Sequence, residues 1–223
     1  MLKNKKKINF NEVSTWLFDL DNTLYPFDNN VFVQVSDRIV KFISQEFELS
    51  ESNAEKERRR LYNLYGTSLC GLMKERKIDP ADFLEFVHDI DLSFLERDPS
   101  LDKALQSIKS KKVIYTNGSY KHAENVLSKL GIINNFFSIH SIETAKYIPK
   151  PNLETYEKLI KIENVDPQST VMVEDTAWNL KPAYELGMKT VLVYPKNKTF
   201  DLKKNRYIDY ITTNLVEFLS DQD

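Results

Sequence analysis

The sequence predicts an α/β protein: a doubly wound parallel sheet core, interrupted after its first strand by an inserted α-helical cap. Three observations predict it. Five short apolar runs, at 15–20, 112–115, 136–142, 170–173 and 190–194, are rich in β-branched and aromatic residues and lack clean alternation. Strands buried on both faces of a parallel sheet read this way. Helical patterns lie between the later runs, and strand–helix alternation is the mark of a doubly wound sheet. Between the first run and the second, residues 21 to 110 form an interval of 90 residues, where a crossover needs only about 10–12.

The later helices are justified one by one. Residues 120–130 place Val126, Leu127 and Leu130 on one stripe and end at Gly131, a residue type suited to the position after a helix. Residues 152–162 place Leu153, Tyr156, Leu159 and Ile160 alike, and 178–186 ends at Gly187. In the long interval, Val31, Val35, Ile39, Ile43 and Phe47 recur at every fourth position. Ser52 and Glu55 have capping-box spacing before a charged helix ending near Gly66. Asp79-Pro80 introduces a further short helix at 81–87. The reading divides the chain into a core (1–26 and 96–223) and a helical cap (27–95).

Composition narrows the function classes. The chain has 223 residues, 41% hydrophobic and 29% charged, with a formal net charge of −2. That balance offers no bulk attraction for nucleic acid or an acidic membrane. No apolar stretch approaches the ~18–20 residues that span a bilayer. One cysteine, Cys70, permits no intrachain disulfide and fits a reducing, cytoplasmic setting. Lys3, Lys5, Lys6 and Lys7 precede no apolar segment and read as a solvated tail rather than a secretory signal.

In open α/β sheets, ligands bind at the carboxyl ends of the strands, so the residues there come next. The first strand runs into Asp19-Leu20-Asp21-Asn22-Thr23. Two carboxylates two residues apart beside a buried run raise each other's pKa unless a cation intervenes, and Mg²⁺ takes oxygen ligands of this kind. An Asx turn closing the strand is the plain alternative. Thr116-Asn117-Gly118-Ser119 after the second strand offers donors for a phosphate at a helix start, or a simple turn and N-cap. Lys150, between Pro149 and Pro151, is a stiffly held ammonium or an ordinary surface lysine. Glu174-Asp175, with Asn179 four residues on, is a second acid pair or a helix start favoured by the dipole. Each bland reading stands alone; four strand ends carrying acid, hydroxyl, lysine and acid in that order are specific.

These four motifs resemble the haloacid dehalogenase-like (HAD) superfamily, over nearly the whole chain. The opening Asp21-Asn22-Thr23-Leu24-Tyr25-Pro26 is similar to the pyrimidine 5′-nucleotidase-type subfamily, as are Tyr65-Gly66-Thr67-Ser68-Leu69 with Gly71-Leu72, Phe86-Val87-His88 and Asn179-Leu180-Lys181-Pro182-Ala183. Many members carry Gly-Asp and a second Asp at the fourth motif; here Glu174-Asp175 and Asn179 leave the number of metal-contacting acids open.

The resemblance implies a Rossmann-like core and a Mg²⁺-dependent phosphatase. It implies Asp19 as nucleophile, Asp21 as acid and then base, Thr116 and Asn117 as donors to the phosphoryl group near Gly118, and Lys150 as fixed charge. It implies a metal held by Asp19, the Asp21 backbone carbonyl and Asp175, with Glu174 nearby. Superfamily dehalogenases typically lack the second aspartate, so Asp21 favours phosphate esters. Substrate choice falls to the cap: Tyr25, Phe27 and Tyr65 are candidates to stack on a base, and His88 to touch phosphate or sugar, against the plainer reading that all are packing residues. Arg58-Arg59-Arg60 is expected to face solvent and Trp178 to pack between helix and sheet. The expected substrate is a nucleoside 5′-monophosphate with a pyrimidine base, in a monomer or homodimer without nucleic-acid or membrane partners. The alternatives are a sugar-phosphate phosphatase, a phosphoglucomutase-like transferase, or a non-catalytic binding protein on the same scaffold.

Overall fold

The computed structural model describes residues 8–27, 29–195, 200–201 and 205–220. Lys3, Lys5, Lys6 and Lys7 lie outside them. Six parallel strands form one sheet in the order β3-β2-β1-β4-β5-β6. They are β1 (Thr15–Phe18), β2 (Lys111–Tyr115), β3 (Ser138–His140), β4 (Thr170–Glu174), β5 (Lys189–Val193) and β6 (Tyr210–Thr212). β1 pairs with β2, Phe18 opposite Ile114, and with β4, Phe18 opposite Val173. Trp16, Leu17 and Phe18 are fully buried, which explains the unbroken apolar run: both faces of this strand are covered. Chain order reverses at β1–β4, and the crevice at such a switch point is where α/β sheets bind ligands.

Four helices lie between β1 and β2: α1 (Val31–Glu46), α2 (Glu51–Tyr65), α3 (Ser68–Arg76) and α4 (Pro80–His88). They close on their own apolar cluster, including Ile43, Leu61, Leu72, Phe83 and Val87, which also takes in Ile142 from the loop after β3. Asp79 caps α4 through the Ala81 N–H, with Pro80 in the first turn. The remaining helices flank the sheet: α5 (Pro99–Ser107), α6 (Tyr120–Leu130), α7 (Leu153–Glu163), α8 (Leu180–Glu185) and α9 (Leu215–Ser220). Gly131 ends α6 at φ +77°, accepting the left-handed turn that a side chain resists.

Several expectations shift. The start of α2 is not a capping box: Ser50 is the N-cap residue and Ser52 lies inside the helix. Glu55 instead accepts from Arg58 and Arg59, because two guanidiniums one turn on outcompete a backbone N–H for a carboxylate. The run 178–186 starts as a 3-10 turn, Ala177–Asn179, before α8. Trp178 is not between helix and sheet; it is 49% exposed and lies against Tyr62 of α2, ring centroids 5.7 Å apart. The elements α3, α5, α9 and β6 have no counterpart in the sequence reading. Among the described residues, no helix is long and apolar enough to cross a membrane.

Candidate active site

Asp19 stands directly past the end of β1, its N–H bonded to the Val173 carbonyl of β4. Its Oδ1 accepts from Lys150 Nζ at 2.8 Å and its Oδ2 from Thr23 Oγ1 at 3.0 Å. Lys150 is 2% exposed and gives its other ammonium hydrogens to Glu174 Oε2 at 2.7 Å and the Tyr115 carbonyl at 2.8 Å. Three acceptors around three donors fix the charge; burial pulls the Lys150 pKa down, but Asp19 and Glu174 outweigh it and hold it above its ordinary value.

Carboxylate oxygens of Asp19, Glu174 and Asp175 lie within 4.8 Å of one another. Burial, and then Glu174, push Asp19 up to about 7, despite the opposing pull of Lys150. Burial, then Glu174 and Asp19, push Asp175 well above the usual carboxylate range. One ammonium does not offset three clustered acids. Asn179 adds a buried Oδ1 with no hydrogen-bond partner among the described residues. A set of hard oxygen donors short of positive charge is what a small divalent cation requires, so the residues fit one.

Asp21 turns the other way. Its Oδ1 accepts from Tyr25 Oη at 2.5 Å and meets His122 Nε2 at 2.8 Å. Burial raises its pKa, but His122 and then Tyr25 outweigh burial and leave it below the ordinary value. The carboxylate of Asp21 is not part of the three-acid cluster.

A cavity of about 370 Å³ joins these groups to the cap. Asp19, Asp21, Thr116, Asn117, Gly118, Lys150, Glu174, Asp175 and His88 all border it, so the structure brings together the residues singled out for the site except the aromatic candidates Tyr25, Phe27 and Tyr65. The Tyr25 side chain is 4% exposed, spends its hydroxyl on Asp21 and borders a different cleft. The expected base-stacking role is therefore corrected: a hydroxyl four residues from a carboxylate finds it first. Tyr65 is likewise outside the cavity, bonded to Glu75, and Phe27 borders the cleft of Tyr25.

Asn117 borders the cavity, but its side chain is committed elsewhere. Oδ1 accepts from the Lys150 N–H at 2.8 Å and Nδ2 donates to the Lys150 carbonyl at 3.2 Å. The side-chain amide braces the lysine backbone, which leaves the Asn117 backbone N–H as the group that would meet a phosphoryl oxygen. Thr116 is 3% exposed; its Oγ1 accepts from the Gly118 N–H at 2.9 Å, and its hydroxyl hydrogen remains to be donated. Arg58 does not simply face solvent: it is paired with Glu55 and borders the cavity beside Tyr62.

A match to the haloacid dehalogenase-like hydrolases runs over residues 13–187. The chain belongs to that family. Two curated relatives of this hydrolase are phosphate-linked. Phosphate metabolism protein 8 of Saccharomyces cerevisiae is 28% identical over 196 residues, 79% of this chain and 60% of the relative. Glyceraldehyde 3-phosphate phosphatase of Pyrococcus furiosus is 27% identical over 218 residues, 91% of this chain and 90% of the relative. The chain thus spans about 60% of the length of the yeast relative. The solved HAD phosphatase of Thermococcus onnurineus superposes with a TM-score of 0.62 at 18% identity, covering 93% of this chain and 97% of that one, a likeness of fold.

Sequence reasoning missed His122 and Tyr62. His122 was open to detection: it sits on the same stripe as Ala123, Val126, Leu127 and Leu130, and a titratable residue on an apolar face asks for a partner. Tyr62 follows a charged run, 55–60, and sits among Leu61, Asn63, Leu64 and Tyr65, where the pattern does not single out its face.

Proposed function

We propose that this hydrolase is a Mg²⁺-dependent phosphomonoesterase working through an aspartyl-phosphate, with nucleoside 5′-monophosphates, pyrimidine ones preferred, as substrates. The observation that carries the reading is one cavity holding two aspartates in opposite environments. Asp19 lies against a buried lysine among acids, and Asp21 is clamped on one oxygen with the other beside Gly118. The lysine and the clustered acids around Asp19 suit a charged nucleophile once a cation is bound, whereas among the described residues Asp21 keeps one oxygen clear of protein donors to exchange a proton. Both curated relatives bear phosphate-related names.

In the first step, an Asp19 oxygen attacks phosphorus while the P–O bond to the leaving alkoxide breaks. Asp21 gives that alkoxide its proton. In the second, Asp21 takes a proton from water, which attacks phosphorus and releases Asp19 and inorganic phosphate. Lys150 holds Asp19 in line and keeps positive charge beside it. The Thr116 hydroxyl donates to the phosphoryl group. Asp19, the Asp21 carbonyl and Asp175, with Glu174 and Asn179 near, would hold magnesium. When bound, the ion supplies the charge that keeps Asp19 ionised and offsets charge on the transferring group. A halide leaving group needs no proton, so the clamped Asp21 favours phosphate esters over carbon–halogen bonds.

Residues 27–95 serve as the cap that excludes water and chooses the leaving group. Tyr62 and Phe32 border the cavity from the cap side and supply aromatic faces for a base. The relative from Pyrococcus furiosus favours a second reading, a sugar- or triose-phosphate phosphatase with the same chemistry. A single free cysteine suits a cytoplasmic setting. Phosphate release with Mg²⁺ from UMP, CMP, AMP, GMP and several sugar phosphates, beside Asp19→Asn, is the test. Turnover of UMP and CMP, lost in the variant, supports the nucleotidase reading. Preference for sugar phosphates transfers support to the second reading, and turnover surviving in Asp19→Asn rejects the nucleophile.

A further inference from the structure

The Asp21 carboxylate is held asymmetrically. Two protein groups converge on one oxygen: Tyr25 Oη donates to Oδ1 at 2.5 Å, and His122 Nε2 meets it at 2.8 Å, a donor there in its Nε2–H form. The other oxygen faces the turn after β2; a Cβ placed on Gly118 would stand 3.6 Å from Oδ2 and 3.3 Å from Thr116 Oγ1. A carboxyl group carries one transferable proton, and an oxygen already accepting two hydrogen bonds is the poorer place for it.

His122 is itself held. Its side chain is 1% exposed, and its ring stacks on His88 of α4 with centroids 4.3 Å apart and planes 14° from parallel. Ser119, the N-cap of α6, accepts from the His122 N–H at 3.2 Å and lies 2.9 Å from His88 Nδ1. His88 belongs to the four-helix insertion, whereas His122 and Ser119 belong to the sheet side. This pair of rings links the insertion to the acid–base aspartate. The sequence reading used His88 only as a candidate contact to substrate and did not use His122.

We propose that Tyr25 and His122 are positioning residues that lock Oδ1 of Asp21, so that Oδ2 is the oxygen that passes the proton to and from the reacting oxygen, and that His88 of the cap clamps His122 in that pose. The inference rests on the phosphomonoesterase reading with Asp21 as the proton donor. His122→Phe keeps a ring to stack on His88 but loses the donor. His122→Gln keeps a donor. Tyr25→Phe removes one hydroxyl and nothing else.

Positioning of a proton donor matters in proportion to the leaving group's need for a proton. An alkoxide from a nucleoside or sugar phosphate needs one; p-nitrophenolate does not. The experiment is rapid-mixing kinetics with UMP, or whichever alkyl phosphate the wild type turns over best, and with p-nitrophenyl phosphate. The first-turnover rate of ester cleavage is read in each. The expected result for His122→Phe and Tyr25→Phe is a tenfold or greater fall in kcat for the alkyl ester, with little change in KM. The p-nitrophenol burst rate should stay within about threefold, and His122→Gln should recover much of the loss. Equal losses on both esters, or no loss on either, would overturn the proposal. If His122→Phe fails to fold, Tyr25→Phe decides alone. A wild type that cleaves neither ester refutes the underlying phosphatase reading instead, an outcome distinct from cleavage of both with no leaving-group dependence in the variants.

Discussion

Lys150 has nowhere to send its charge except into the protein. Its three acceptors are Asp19, Glu174 and the Tyr115 carbonyl, and its backbone is gripped on both sides of the residue by Asn117. Removing one member of a buried charge network leaves the others uncompensated, at a cost of about 3–5 kcal/mol. Lys150→Met is therefore expected to lower the denaturation midpoint and to reduce kcat by at least about a hundredfold, measured by urea unfolding and phosphate release. Asn117→Ala tests the brace separately. It removes two hydrogen bonds, at about 1 kcal/mol each, and is expected to lower kcat more than it raises KM, because the lysine loses its aim while the cavity keeps its shape. At the acid cluster, ligand binding to the folded state alone raises stability, by about 2.7 kcal/mol at a hundredfold excess over Kd. Magnesium is expected to raise the wild-type Tm by several degrees, and Asp175→Asn to lose most of that rise in a thermal-shift titration. An unchanged shift in that variant removes Asp175 from the metal site.

Among the elements, α2 and α3 meet closely at Gly71. A Cβ on Gly71 would stand 2.7 Å from Leu61 Cδ2 and 2.8 Å from Tyr65 Cδ2, and Leu61 is fully buried, so it has no room to yield. Gly71→Ala is expected to cost about 1–3 kcal/mol through overpacking, seen as earlier proteolysis within 51–76 and a raised KM. If the variant matches wild type in both, α2 and α3 are not held by this contact. β1 and α6 were legible because each has a pattern that points to one structure. β1 is apolar on both faces and ends on acids; α6 has a stripe, an N-cap serine and a terminal glycine. β6 is three half-buried residues at the sheet edge, too short and too mixed to read as a strand. α3 was hidden because its residues 68–72 looked like a motif rather than an amphipathic helix. The four strand-end motifs come together on one cavity, whereas Tyr25 spends its hydroxyl on Asp21 and borders another cleft. Residue type alone does not say which of two nearby partners, a base or a carboxylate, an aromatic hydroxyl will choose.

Taken whole, the molecule joins its helical insertion to its catalytic end through a histidine pair, and that joint has a pH signature. Burial, and then the neighbouring His122, push the His88 pKa down to about 3, while Asp21 acts in the opposite direction. In the folded protein His88 therefore stays neutral well below pH 6, whereas in the unfolded chain it takes a proton near the ordinary value of about 6.5. Below that value the unfolded state binds more protons, so stability falls as the pH falls, by up to about 1.4 kcal/mol per pH unit for one such group, levelling off near pH 3. Burial lowers His140 too, against the pull of Glu163, and adds a loss of the same sign from the β3 side. Asp19 and Asp175, held above the usual carboxylate range, contribute with the opposite sign over the same interval, so the His88 share is read as a difference between two urea midpoints. His88→Gln should be less stable than wild type at pH 7, since it loses the ring stack, yet recover part of that deficit relative to wild type at pH 5. The change in the deficit separates the two explanations. A variant that is merely destabilised keeps the same deficit at both pH values, whereas a variant that has lost the titrating group narrows it at pH 5. An unchanged deficit in His88→Gln means that His88 is not the titrating group, with His140 the next residue to replace.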